Sequence, residues 1–271
     1  MKKTFIYTLL GFFIALGLVL TACQAGETSE VPTQEMESEP EAEPTAAPNE
    51  PAADEPEEEV GTAANVQLDP ATIEQEELLE ICGYIYEGLV ALDGDTVVPA
   101  LATTWTVSDD TLSYTFQLRP NVTFHDGTPL DVDIVIANFN RWFDTNHPLH
   151  GIDKEYPAWL EAFGGFEGEV DNDGVPKSSF DGIEKVNNLT ILIHLNRQDP
   201  DLLQKLARPQ FSLINTEVLA DERDLYGTSQ GSTVGTGPYM LDEWKGDTLQ
   251  LSPYGDYWGT PPESELELTL P

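Results

Sequence analysis

Gly227-Thr228-Ser229-Gln230-Gly231 has the spacing of the hydrolase elbow G-x-S-x-G, where a sharp strand-to-helix turn exposes a nucleophilic hydroxyl. The next residues, Ser232-Thr233-Val234-Gly235-Thr236-Gly237-Pro238, do not read as a helix. A base for Ser229 must come from His125, His147, His150 or His194. His125 lies in a His-Asp-Gly turn and His194 on a strand between apolar residues, so both read as structural. A serine hydrolase at Ser229 is therefore the alternative function, not the leading one. Glu169, Asp171, Asp173 and Gly174 resemble the start of a calcium loop, but the twelfth place holds Phe180 where a Glu is needed. His147 and His150 are two ligands without a third, and no Gly-Lys phosphate cradle is present. The expectation is no catalytic residue, no metal site and no cofactor.

One cysteine carries a different chemistry. Lys2 and Lys3 precede an almost wholly apolar run from Phe5 to Leu20, and Leu20-Thr21-Ala22-Cys23 matches the bacterial lipoprotein signal box. Residues 1–22 read as a signal peptide, too short for a span and ending in a processing site. Cys23 is the expected lipidated N-terminus, since two acyl chains hold a protein stably on a membrane. Cys82, the only other cysteine, lies on the helical stripe Leu78, Ile81, Cys82, Ile85, Leu89 and reads as a small core residue. No disulfide is expected.

Residues 23–60 are Glu, Pro, Ala and Thr with almost nothing to bury, so they read as a disordered acidic tether. Between Gln24 and Val60 stand 13 acidic and no basic residues. The whole chain has 12 basic residues against 49 acidic ones, a formal charge of -37. Taking away Lys2, Lys3 and those 13 acids leaves ten basic and 36 acidic residues from Gly61 onward. The folded part is thus acidic too, which excludes a nucleic-acid partner. Solubility accounts for such a surface, and a cationic ligand or a saline habitat fits it as well.

Most of the elements can be read in order. A helix from about Glu76 to Glu87 follows Leu68-Asp69-Pro70, with Gly88 ending it. Trp105 and Val107, then Tyr114, Phe116 and Leu118, then Val122 and Phe124 alternate with polar residues as three short strands. Asp131 caps a helix with Val132, Val135, Ile136, Phe139, Trp142 and Phe143 on one face. Residues 146–177 read as loop-dominated. Leu189, Ile191, Ile193 and Leu195 alternate as a strand, and Asp199-Pro200 starts a short helix. Tyr239 and Leu241, the turn Lys245-Gly246-Asp247, and Leu249 and Leu251 form a hairpin. Leu266, Leu268 and Leu270 make a last strand.

Several words in this order, YEGLV, PALATTW, VSDDTLSYTFQLRPNVTFHDGTPL, GTGPY and YWG, resemble family 5 of the extracytoplasmic solute-binding proteins. These feed ABC importers of oligopeptides, dipeptides and nickel chelates. The resemblance runs from Leu68 to the end and implies an α/β fold of mixed sheets with packed helices. That fold is the first lobe of a two-lobed periplasmic-binding-protein-like structure, truncated before the second lobe. Residues 61–90 and 198–271 would form its main subdomain and 91–197 an inserted one. It implies ligand contact at Glu74, Gln75 and Glu76, in the loop after LDP, and at Tyr239. Acids at a helix start also suit the helix dipole, so both readings of Glu74 and Glu76 stand. The implied function is a substrate-binding lipoprotein that captures peptides or similar small solutes outside the cytoplasmic membrane. The implied partners are ABC permease subunits, the membrane through the lipid anchor, and a separate chain supplying the second lobe. A non-functional remnant is the third reading.

Overall fold

The computed structural model describes residues 66–152 and 154–271. The signal peptide, Cys23 and the tether at 23–60 lie outside the described residues.

The first described element is a single 3-10 turn, Pro70–Thr72, which the Asp69 carboxylate caps by accepting from Ala71 N at 3.3 Å. Helix α1, Glu76–Ile85, buries Leu78, Leu79, Ile81, Cys82 and Ile85. Its start lacks a side-chain cap, and Glu76 and Glu77 stand there against the positive end of the helix dipole. The helix ends two residues before the expected Glu87. Tyr86 is extended, and Glu87 leaves the helix to pair its main chain with Leu213, whose N–H donates to Glu87 O at 2.8 Å.

A hairpin follows that the sequence reading did not isolate: β1 (Val90–Asp93) and β2 (Thr96–Pro99), joined at Gly94 with φ of +59°. Gly94-Asp95, between the paired Asp93 and Thr96, is the two-residue turn that marks it. Strands β3 (Ala102–Val107) and β4 (Ser113–Leu118) pair antiparallel as expected. Val107 faces the same side as Tyr114, yet it is 41% exposed because it ends an edge strand. The expected third strand is not one. The chain turns back on itself through Gly127 and makes only the bridge Thr123↔Pro129, although Val122 and Phe124 are buried.

Helix α2 (Val132–Phe143) begins at Asp131, whose carboxylate accepts from Ile134 N at 2.9 Å. Residues 146–177 contain helix α3 (Pro157–Phe163), where a loop was expected. Trp159 and Phe163, four residues apart, pack with tilted rings 4.3 Å apart between centres and anchor it. Strands β5 (Phe180–Asn187) and β6 (Thr190–Leu195) complete a four-stranded antiparallel sheet in the order β3-β4-β6-β5. Helices α4 (Leu202–Leu206) and α5 (Thr216–Glu222) lead to a third sheet, β7 (Tyr239–Lys245), β8 (Thr248–Pro253) and β9 (Leu266–Thr269). None of the described helices is long and apolar enough to cross a membrane.

Two cores result. The first joins Phe116, Phe124, Ile191 and Ile193 to an aromatic cluster of Phe139, Trp142, Trp159, Phe163, Phe180 and Phe211, with Trp105 packed at its margin. The second joins Leu68, Ile81, Cys82, Ile85 and Tyr86 of the first segment to Ile214, Leu249, Leu251 and Leu270 of the last. Burial raises the Cys82 thiol far above its ordinary value, so it remains a neutral core atom.

Candidate functional site

The seam between the cores is closed by one ion pair. Arg141 of α2 is 0% exposed and donates through Nη1 and Nη2 to the two oxygens of Asp69 at 2.8 and 2.9 Å. Tyr86 OH donates to Leu68 O at 2.9 Å, and Tyr226 OH to Val234 O at 3.1 Å. With Leu68, Asp69 and the 3-10 turn so held, the residues that follow have little freedom.

Those residues are the predicted contact loop. Ile73 (φ -94°, ψ 134°) and Gln75 (φ -73°, ψ 122°) are extended, and Glu74, Gln75 and Glu76 are exposed. Among the described residues, the Ile73 C=O, the Glu74 N–H and C=O and the Gln75 N–H have no hydrogen-bond partner. A cleft of about 410 Å³ lies against the loop, lined by Val66, Gln67, Thr72, Ile73, Glu74, Gln75 and Leu78. A second, about 310 Å³, lies between Ile73, Glu74, the start of α3, Glu161, Arg208 and Gln210. The two share Ile73 and Glu74, so a trough runs across an open piece of extended main chain. Tyr239 does not join it. Its ring stands edge-on to Tyr84 at 5.8 Å, and Tyr84 is eight residues from Glu76, or about 12 Å along α1.

A second polar cluster escaped the sequence reading. Glu87 accepts from Tyr257 OH at 2.9 Å, Thr236 Oγ1 at 3.0 Å and Trp258 Nε1 at 2.9 Å. Arg119 lies over the Trp258 ring, 3.7 Å from its centre. Burial pushes the Glu87 carboxyl above its ordinary range, against the pull of those three donors and of Arg119. YEGL, GTGPY and YWG thus converge on one carboxylate, which no spacing along the chain announces. The glycines of GTGPY allow this approach: Gly237 N donates to Ile85 O at 2.9 Å, and a Cβ there would fall 2.6 Å from Ile85 C.

The other candidate residues serve the backbone. His125 holds Gly237 O through Nε2 at 3.0 Å and accepts from Gly235 N through Nδ1 at 3.4 Å, so both ring nitrogens are engaged. Burial lowers its pKa, which suits the neutral ring. Ser229 is exposed in a turn after a 3-10 turn (Arg223–Leu225), with irregular chain from there to β7, so it is not on a strand-turn-helix elbow. It lines a cleft of about 390 Å³ with His125, Asp126 and Trp244. Asp171 accepts from Asp173 N and Val175 N at 2.9 and 3.0 Å, and Glu169 from Phe166 N at 3.0 Å. His147 Nδ1 accepts from Leu149 N at 3.2 Å, and His150 Nδ1 lies 2.7 Å from Arg141 O. Among the described residues, no three His, Cys, Asp or Glu side chains are gathered as metal ligands.

The profile of a family described as bacterial extracellular solute-binding proteins, family 5 Middle, matches residues 96–266. Heme-binding protein A of Haemophilus influenzae is 35% identical over 199 residues, 69% of this chain and 34% of that one. Di/tripeptide-binding protein 4 of Pseudomonas aeruginosa is 33% identical over 64% of this chain and 32% of its own length. The periplasmic binding protein DppA of Helicobacter pylori, solved with the peptide STSA, superposes with a TM-score of 0.63 at 25% identity. That match covers 76% of this chain and 40% of DppA. The chain therefore spans about a third of the length of the curated relatives it matches.

Proposed function

The chain belongs to family 5 of the bacterial extracellular solute-binding proteins, and from that premise we propose that it captures short peptides or similar small solutes. Capture takes place outside the cytoplasmic membrane, on a lipid anchor at Cys23 and an acidic tether over 23–60. The ligand passes unchanged to the permease of an ABC importer. The observation that carries this reading is the extended main chain from the Ile73 C=O to the Gln75 N–H, unpaired among the described residues and lying beside the trough. Such an edge suits addition of a peptide as one more strand, with main-chain hydrogen bonds giving affinity and flanking clefts taking side chains. Similarity to a di/tripeptide-binding protein and to a peptide-bound DppA supports the same ligand class. Glu74, Gln75 and Glu76 are the proposed contacts, while Tyr239 acts on the ligand only if it reaches beyond the trough.

The test is native mass spectrometry of the whole chain incubated with a pool of di- to pentapeptides. Peptide adducts are expected on the wild type and on Glu74→Ala. They should vanish from Glu74→Pro, which removes a main-chain donor at the centre of the loop. A wild type that retains no peptide refutes capture by this chain. The hydrolase alternative at Ser229 predicts ester turnover that Ser229→Ala abolishes.

A further inference from the structure

Five arginines lie among the described residues, and four of them hold main-chain carbonyls or a buried carboxylate. Arg141 is sealed on Asp69. Arg119 donates to Ala100 O and covers Trp258. Arg197 donates to the carbonyls of Phe163, Pro176, Lys177 and Ser178. Arg223 donates to Pro148 O. Arg208 differs. Among the described residues its one hydrogen-bond partner is the Glu161 carboxylate, 2.9 Å from Nη2, and the two side chains are 31% and 69% exposed. A pair so open to water is screened and holds weakly. Its Nε and Nη1 have no hydrogen-bond partner among the described residues.

The main chain beneath this side chain is firm. Arg208 N donates to Lys205 O at 3.1 Å, and Arg208 O accepts from Phe211 N at 3.0 Å. Arg208 lines the cleft of about 310 Å³ together with Ile73 and Glu74. A planar fork with unused donors therefore stands in the same cleft as the open main chain of Glu74. Within that volume, a ligand paired to Glu74 brings only its adjoining residue or two to the arginine. Two carboxylates, Glu74 and Glu161, share the cleft with it. Glu161 can swing into water, and Glu74 sits on the exposed loop.

We propose that Arg208 is a carboxylate subsite of the trough, where a ligand carboxylate displaces Glu161 and makes a charge-assisted, fork-shaped contact. This rests on the reading of Ile73–Gln75 as a peptide edge. It adds a specificity-determining residue: capture favours a peptide whose free C-terminus, or an acidic side chain, falls just beyond the residue paired with Glu74. Glu161 is the resident competitor, keeping the guanidinium partnered until ligand arrives.

The test is isothermal titration of the whole chain with three probes: trialanine, its C-terminal amide, and Ala-Glu-Ala amide. The wild type is expected to bind trialanine roughly tenfold tighter than the amide, the size of one charge-assisted contact at a partly exposed site. Arg208→Gln should erase that preference and leave the affinity for trialanine amide unchanged. Glu161→Gln should tighten trialanine binding and not the amide. If Ala-Glu-Ala amide recovers the tight binding, the subsite takes acidic side chains; if only trialanine does, it takes the C-terminus. Equal binding of trialanine and its amide by the wild type overturns the inference and leaves peptide capture standing, as does a preference that survives Arg208→Gln. Binding of none of the three overturns both.

Discussion

Asp69 and Glu74 stand five residues apart, and the fold treats them in opposite ways. Asp69 lies at the seam between two cores, and both its oxygens take hydrogen bonds from a fully buried guanidinium. Glu74 lies on extended chain at the surface, and its backbone has no hydrogen-bond partner among the described residues. Two arginines repeat the contrast: Arg141 is sealed in place, and Arg208 holds an exposed carboxylate through Nη2 alone among the described residues. The sealed pair supplies rigidity and the open one supplies exchange. Burial makes a lost partner costly, because the remaining charge stays in a medium that cannot solvate it. Exposure makes the same loss cheap, because water replaces the partner.

That contrast can be broken first at its sealed end. Arg141→Ala should lower the unfolding free energy in urea by about 3–5 kcal/mol, since it strands the Asp69 carboxylate at the seam. A loss below about 1 kcal/mol would mean that water reaches the pair. Tyr86→Phe should cost about 1–2 kcal/mol by leaving the buried Leu68 carbonyl without its donor.

Glu87 sharpens the comparison through pH. Its folded-state pKa is raised, mainly by burial, so the folded protein holds this proton more tightly than the unfolded chain does. Stability from this group is then greatest below the ordinary carboxylate value. It falls as pH rises from there through the raised folded value. Urea midpoints across the acidic range should show this slope, and Glu87→Gln should flatten it; an unchanged slope would remove Glu87 as its source. At the open end, Glu74→Ala should change stability by no more than about 0.5 kcal/mol. A larger loss would show that the loop supports the fold and does not merely rest on it.

Much of the framework was legible along the chain. Asp131 before a run of apolar residues spaced by three and four named both the cap and the buried face of α2. Alternation placed β4, β6, β7 and β8. Alternation failed at Val122 and Phe124, where burial comes from a folded-back turn and not from a strand. Helix α3 was hidden by the glycines and acids around it, because its stability comes from the aromatic cluster that Trp159 and Phe163 enter. The candidate site was half legible. The loop Glu74-Gln75-Glu76 came from the family words, and the structure adds the two clefts beside it. Glu87 and Arg208 gave no signal, because their partners lie 170 and 47 residues away in the chain.

Sequence by itself therefore determined what depends on near neighbours: periodic faces, caps, turns, the acidic balance and the order of the family words. The tertiary structure alone decided which charges are sealed and which stay exchangeable. Solvation sets that difference, and the solvation of a side chain is decided by elements that arrive from distant parts of the chain.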